Sequence, residues 1–296
     1  MSDFSCETCG KWILAGEHAV LRGVPALVFP VPGKTMKLRF KSSKAPLQLT
    51  LSGPYGKPLE LLFWGVVERA LGKCSKSRDD LKGNIELENW IPIGAGLGAS
   101  AALCVAITKW FFYLGWIASE QMYEFARSLE DLFHGESSGV DIAVSLESKG
   151  IKFQRGGGRE HINLAWRPKW YLSYCGKIGV TSECVEKVKK LYDKNPTAQE
   201  ELDGKMFKAV EMAEKALQNE NSKSSFSDLC QSVQIASECF QSWGLTQGEL
   251  GEHLQFLKKA GAKAAKPTGS GGGGYALSLW ENDPPEEIKE DLIELS

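Results

Sequence analysis

The pattern of apolar and polar positions predicts both strands and helices in the first part of the chain. An apolar run over residues 10–20 ends in a polar turn and predicts a short strand. Alternating positions over residues 34–50 predict hairpin strands with one solvated face. Apolar residues at helical spacing predict an amphipathic helix over residues 58–71. A mixed α+β chain is therefore expected.

The next stretch has the order strand, glycine-rich loop, helix. Residues 84–91 alternate and predict a strand, and an apolar run after the glycines predicts a helix over residues 100–115. Glycines at 94, 96 and 98 let backbone N–H groups converge, and the start of a helix carries partial positive charge. This arrangement suits a phosphate group, although the same pattern also occurs as a plain tight turn.

The remaining chain is rich in predicted helices. A new unit is expected to start near Trp166-Arg167-Pro168, which divides the chain into domains over residues 1–165 and 166–296. Residues 153–159 end in three glycines and an arginine and predict a hairpin or a crossover. A strand is predicted over 170–174, and helices are predicted over 119–133, 182–192, 199–219, 226–243 and 247–260.

Composition limits the partners. The 296 residues are 43% hydrophobic and 24% charged, enough for one large or two medium domains. A formal net charge of -2 gives no electrostatic reason to expect nucleic acid or an anionic membrane, so a small molecule is the expected partner. The first residues lack a signal-peptide pattern, and no apolar run reaches the ~20 residues that span a bilayer. A cytoplasmic protein is expected.

The eight cysteines are scattered, which favours free thiols over a disulfide framework. Cys6 and Cys9 form one Cys-x-x-Cys pair, but the chain has no second such pair to complete a zinc site. We interpret both residues as structural thiols.

Two acids flank a glycine-bearing turn between predicted helices. Glu130 precedes the turn and Asp141 follows it. Two carboxylates so placed could bind a metal ion and accept a proton. Acids at a helix end and in a turn are also common on ordinary surfaces, so the residues alone leave both interpretations open.

Four segments resemble the motifs of the GHMP kinases. Residues 92–101 resemble the phosphate loop Pro-x-x-x-Gly-Leu-Gly-Ser-Ser-Ala, with Ala99 at the first serine. Residues 10–20 resemble the first motif in its mevalonate kinase form, Gly-Lys-x-Ile-Leu-x-Gly-Glu-His-Ala-Val, preceded by Cys9 where the family usually has proline. Residues 266–274 resemble the glycine-rich third motif, which lies against the phosphate loop in the family.

The fourth segment, residues 130–141, is similar to the mevalonate kinase pattern Glu-x-x-x-His-Gly-x-Pro-Ser-Gly-x-Asp. Ser137 stands where that pattern has proline. All motifs occur in family order, and the resemblance covers nearly the whole chain.

The resemblance implies a role for each matching residue. Asp141 matches the catalytic aspartate and Lys11 the lysine beside it, while Glu130 and Ser100 match the Mg²⁺ ligands. Glu17 and His18 would face the acceptor substrate. Phosphoryl transfer requires neutralised ATP phosphates, a hydroxyl placed in line and an acceptor for its proton. The residues implied to hold ATP are Gly94, Ala95, Gly96, Leu97, Gly98, Ala99, Ser100, Gly271 and Gly272.

The resemblance also implies the architecture and the activity. The expected fold is that of a two-domain GHMP kinase, with an N-terminal domain like ribosomal protein S5 domain 2 and a ferredoxin-like C-terminal domain. The expected activity is ATP- and Mg²⁺-dependent phosphorylation of the primary hydroxyl of mevalonate. The alternatives are a phosphomevalonate or sugar kinase of the same class, and a catalytically silent paralogue that acts as a sensor. The sequence is compatible with a homodimer and leaves the assembly state open.

Overall fold

The computed structural model describes residues 2–134 and 137–295. The chain forms two compact units, and both are assembled from separate chain segments. The first comprises Met1–Lys11, Pro30–Ile93 and Leu97–Ser148, and the second comprises Trp12–Phe29, Gly94–Gly96 and Lys149–Ser296. The domain boundary near residue 165 stays a prediction.

Two long strands contribute residues to both units: β1 (Phe4–Ala15) and β2 (Ala26–Pro46). In the first unit, β4 (Lys82–Asn89) pairs antiparallel with β2, so that Leu38 lies opposite Leu87. β3 (Gln48–Ser52) pairs with the other edge of β4, in parallel. Alternate residues of β4 are buried, so one face of this sheet packs against the core.

The helices of the first unit surround a nearly all-apolar central helix, α2 (Ala99–Tyr113). A helix that is apolar on every side is stable only when it is buried on every side. Accordingly, α2 contacts α1 (Glu60–Lys73), α3 (Met122–His134) and α4 (Val140–Glu147).

The second unit contains a four-stranded antiparallel sheet in the order β10-β7-β9-β8. Its strands are β7 (Lys169–Tyr174), β8 (Ala264–Pro267), β9 (Tyr275–Trp280) and β10 (Leu292–Glu294). A separate hairpin, β5 (Ile151–Phe153) with β6 (Arg159–His161), pairs with the first residues of β2.

Helices cover the four-stranded sheet of the second unit. Leu250, Leu254 and Leu257 of the helix at Glu249–Lys259 pack on Tyr171 and Trp280 of the sheet. The helices are α5 (Thr181–Lys194), α6 (Pro196–Gln218), α7 (Lys223–Ser242), α8 (Glu249–Lys259) and α9 (Glu286–Lys289).

The predicted helices and the hairpin at residues 153–159 are confirmed, with end points that differ by a few residues. The hairpin expected over residues 34–50 is wrong. Its strands form, but β3 pairs with β4 and not with β2. The alternation of apolar and polar residues determines which face of a strand is buried, but it does not indicate with which other strand it pairs.

Within the described residues, no helix is long and apolar enough to cross a membrane. The eight cysteines are free. Cys6 and Cys9 donate weak hydrogen bonds to the carbonyl oxygens of Ala106 and Val144, in agreement with their interpretation as structural thiols.

Candidate active site

An ion pair between the buried Lys11 of β1 and the partly exposed Asp141 of α4 lies in the first unit. The Lys11 Nζ lies 3.1 Å from the Asp141 Oδ2, and the side chains are 5% and 22% exposed. Asp141 belongs to the first turn of α4, which begins after Gly139. The backbone N–H of Lys11 donates to the carbonyl of Leu97 at 2.9 Å, so the strand also contacts the glycine-rich loop.

Gly98 shows how closely this loop approaches the ion pair. Its φ of +77° lies in the left-handed region, which glycine adopts without strain. A Cβ atom on Gly98 would lie 2.9 Å from the Lys11 Cγ and 3.6 Å from the Asp141 Oδ2. α2 begins at the next residue. The start of this helix therefore lies directly against the Lys11–Asp141 pair.

Glu130 is a buried carboxylate in this unit, near the end of α3. Burial, followed by the negative charge of Asp141, raises its pKa. The hydroxyl of Ser137 donates to the Glu130 Oε2, and the backbone N–H of Ser137 donates to the Asp131 Oδ1 at 3.0 Å. Gly135 and Glu136 of the same motif lie outside the described residues.

Glu130 interacts electrostatically with α2, the helix that carries Ser100. Burial and then the negative charge of Glu130 raise the pKa of the Cys104 thiol. Ser100 precedes Cys104 by four residues, and residues at that spacing share a helix face.

These donors fit a magnesium ion, because Mg²⁺ prefers oxygen ligands and uses one or two protein groups beside phosphate and water. The described residues contain no group of three or more His, Cys, Asp or Glu side chains that could hold a metal by themselves. Protein ligands for Mg²⁺ would therefore be few here, namely the carboxylate of Glu130 and the hydroxyl of Ser100.

In the second unit, the glycine run of the third motif packs against the first part of the phosphate loop. A Cβ atom on Gly274 would lie 2.7 Å from the carbonyl oxygen of Ala95, and one on Gly96 would lie 3.6 Å from that of Thr268. Gly271 and Gly272 have φ values of +77° and +71°. Residues with side chains would be strained at both positions, and a side chain at Gly274 would collide with the backbone of the phosphate loop.

Glu17 and Lys266 form an ion pair in the interior of the second unit. Their side chains are 2% and 0% exposed, and the Lys266 Nζ contacts the Glu17 Oε1. The same ammonium donates to the carbonyl of Ile13 at 3.2 Å and lies 5.2 Å from the ring centre of Phe240. The pair links the turn after β1 to the strand that leads into the third motif.

His18 makes a second link between these segments. Its ring is buried against Phe240 and Trp243, and its Nε2 lies 2.9 Å from the carbonyl oxygen of Ser270. Burial lowers the pKa of His18 to about 4, so the imidazole is neutral at pH 7. A carbonyl can only accept, which assigns the single proton to Nε2 and leaves Nδ1 as an acceptor.

The structure thus brings the predicted residues together in two groups. Lys11, Gly98, Ser100, Glu130 and Asp141 belong to the first unit, with Leu97 and Ala99. The second unit holds Glu17, His18, Gly94, Ala95, Gly96, Gly271 and Gly272. Their roles in binding and catalysis stay predictions.

Two contacts of these groups were not predicted, although their residues stand inside recognised motifs. Lys266 begins the third motif, but Lys263 precedes it by three residues, and the local sequence does not distinguish the buried lysine from the exposed one. Ser137 was visible as a departure from the family pattern, but its contact with Glu130 depends on the path of the turn.

Known proteins resemble this chain over most of its length. Residues 62–149, which contain the phosphate loop and Asp141, match the family model of the GHMP kinases N terminal domain. This match assigns residues 62–149 to that domain family. A mevalonate kinase of Thermococcus onnurineus is 32% identical, and the alignment covers 90% of this chain and 87% of that protein. A mevalonate kinase of Pyrococcus furiosus is 30% identical, with 93% and 89% covered. The chain belongs to the mevalonate kinase family.

Solved structures show the same fold. The mevalonate kinase of L. major in complex with R-mevalonate aligns with a TM-score of 0.76 at 23% identity, over 96% of this chain and 91% of that one. The Methanococcus jannaschii mevalonate kinase aligns with a TM-score of 0.75 at 18% identity, over 97% and 93%. The two-domain α+β fold of the GHMP kinases, predicted from the sequence, is confirmed.

Proposed function

We propose that this protein transfers the γ-phosphoryl group of ATP to the primary hydroxyl of mevalonate. The observation that carries the proposal is the Lys11–Asp141 ion pair, against which Gly98 and the start of α2 lie. A proton acceptor, a cation and the start of a helix, which favours phosphate binding, lie close together here. Membership of the mevalonate kinase family supports the choice of acceptor.

In this reaction Asp141 accepts the hydroxyl proton while Lys11 stabilises the charge that develops on the attacking oxygen. The partial exposure of Asp141 leaves one side of its carboxylate open to a substrate. The backbone N–H groups of the phosphate loop, and those of Gly271 and Gly272, would contribute to binding the phosphates of ATP. Glu130 and Ser100 would hold Mg²⁺, which would supply positive charge to neutralise the phosphates.

The function is tested by a phosphorylation screen. The purified protein is incubated with ATP, Mg²⁺ and, in turn, mevalonate, phosphomevalonate and several sugars, and ADP release is measured. Turnover should be highest with mevalonate. A preference for phosphomevalonate or a sugar would retain the assignment as a GHMP kinase but contradict mevalonate as the substrate. No turnover with any of these compounds would favour the catalytically silent paralogue. A cytoplasmic location and a homodimer stay predictions.

Replacing Glu130 with Gln is expected to raise the Mg²⁺ concentration that gives half-maximal rate by ~10-fold or more, because an amide oxygen is a weaker ligand for a hard cation than a carboxylate. The Michaelis constant for mevalonate should change much less. The Mg²⁺ concentration for half-maximal rate is measured from steady-state rates over a Mg²⁺ titration at saturating ATP. A change confined to the mevalonate constant would contradict the metal role.

The role of His18 is tested by a pair of substitutions, because Gln can place its amide N–H near the position of Nε2 and Asn can place its oxygen near that of Nδ1. If Nδ1 accepts from the acceptor's hydroxyl, His18→Gln should weaken mevalonate binding by ~3–10-fold, the scale of one lost hydrogen bond. His18→Asn should bind mevalonate better than His18→Gln, and ATP affinity should stay near wild type.

If His18→Gln binds mevalonate better than His18→Asn, His18 contacts the loop that carries Ser270 and not the substrate. If only the link to Ser270 matters, His18→Gln keeps both affinities and His18→Asn loses both. Binding of each ligand is measured separately by calorimetry on both variants and on the wild type.

A further inference from the structure

Ser137 occupies the turn between α3 and α4, where it contacts α3 and Gly139, the residue before α4. Its hydroxyl donates to the Glu130 Oε2, and the backbone N–H of Gly139 donates to that hydroxyl at 3.0 Å. Its own N–H donates to the Asp131 Oδ1 at 3.0 Å. Ser137 is 3% exposed and Glu130 is 2% exposed, so water does not compete effectively for these groups.

The direction of the hydrogen bonds follows from the chemistry of a hydroxyl. Gly139 can only donate through its N–H, so the oxygen of Ser137 accepts that bond and its single hydrogen points at Glu130. One carboxylate oxygen is thereby engaged, which fixes the rotation of the carboxylate about its last bond. The same hydroxyl is tied to Gly139, directly before the helix turn that carries Asp141.

This arrangement belongs to this chain and not to the motif that it resembles. The family pattern has proline at this position, and proline has neither a backbone N–H nor a hydroxyl. Neither of the bonds that Ser137 donates could form there.

We propose that Ser137 is a positioning residue. It orients the Glu130 carboxylate toward the divalent cation and holds Glu130 at a fixed position relative to Asp141. This inference rests on the proposed function, since it takes Glu130 as a metal ligand. Partners that orient a ligating side chain typically change metal affinity by ~10–100-fold when they are removed. Ser137 should therefore affect the metal more than the acceptor.

The test measures Mn²⁺ binding by electron paramagnetic resonance of the free ion, in the presence of the non-hydrolysable analogue β,γ-imido-ATP. Ser137→Ala should raise the Kd for Mn²⁺ by ~10-fold or more, and Ser137→Thr, which keeps the hydroxyl, should stay within ~3-fold of wild type. In the kinase assay, Ser137→Ala should raise the half-saturating Mg²⁺ concentration and leave the mevalonate constant nearly unchanged.

Ser145 provides a matched control, because it is a buried serine of α4 whose hydroxyl has no hydrogen-bond partner among the described residues. Ser145→Ala should bind Mn²⁺ like the wild type. If Ser137→Ala does not fold, Ser137→Pro, the residue of the family pattern, takes its place and should show the same weakened Mn²⁺ binding.

The positioning role is overturned if folded Ser137→Ala binds Mn²⁺ as tightly as the wild type. It is also overturned if Ser137→Thr binds Mn²⁺ no more tightly than Ser137→Ala. This readout does not depend on the acceptor. A wild-type protein that binds Mn²⁺ but does not phosphorylate mevalonate would contradict the proposed function, and the Mn²⁺ comparison would still decide the role of Ser137.

Discussion

Asp141→Asn is expected to lower kcat for mevalonate phosphorylation by a factor of ~10²–10⁴, the usual scale for loss of a positioned proton acceptor. Asparagine keeps the size of the side chain and can still accept a hydrogen bond from Lys11, but its amide does not take up a proton at neutral pH. The side chain is 22% exposed, so the amide can also be solvated and the fold should persist. Rates are measured at saturating ATP, Mg²⁺ and mevalonate, and ATP affinity is measured by calorimetry.

The control for this experiment is Asp283→Asn. Asp283 also pairs with a lysine, Lys169, at 2.6 Å, but that pair lies on the surface. Exposed pairs contribute ~0–1 kcal/mol, so this variant should keep full activity and nearly full stability. If Asp141→Asn turned over within a few-fold of wild type, the assignment of Asp141 as the proton acceptor would be wrong. A loss of ATP affinity as large as the loss of rate would point to a role in nucleotide binding.

Local chemistry explains why the helices and the glycine-rich motifs could be predicted. The apolar run of α2 and the glycines before it define the phosphate loop within about twenty residues, and the periodicity of a helix repeats every few residues. Gly98 requires a left-handed backbone, which a sequence signals directly by the absence of a side chain. Such features need no knowledge of the rest of the chain.

Pairing between distant segments could not be predicted in the same way. β3 alternates like a hairpin strand, yet its partner β4 lies some thirty residues further on and runs parallel to it. The Glu17–Lys266 pair joins residues 249 positions apart. No local pattern distinguishes a lysine that will be buried with a carboxylate from one that stays in water, because the difference lies entirely in what the fold places around it.

That pair also determines how Glu17 is interpreted. From the sequence, Glu17 was expected to face the acceptor, and this role stays a prediction. In the structure its Oε1 contacts Lys266, whose ammonium also donates to the carbonyl of Ile13. Removing one member of a buried ion pair typically costs ~3–5 kcal/mol, because the remaining charge is left uncompensated, whereas replacing both members by neutral groups is often nearly neutral.

Lys266→Met is therefore expected to lower the free energy of unfolding by ~3–5 kcal/mol, and the double variant Glu17→Gln/Lys266→Met should recover most of that loss. Urea unfolding measures the free energy of unfolding of both variants. Lys169→Met is the control, because that lysine forms an exposed pair and its loss should lower the free energy of unfolding by less than ~1 kcal/mol.

The double variant also separates the two roles of Glu17. If the pair only holds the turn after β1 against the third motif, the stable double variant should bind mevalonate nearly as well as the wild type. If Glu17 touches the acceptor, stability should return while mevalonate affinity stays low. A double variant as unstable as Lys266→Met would show that the ion pair is not the source of the loss.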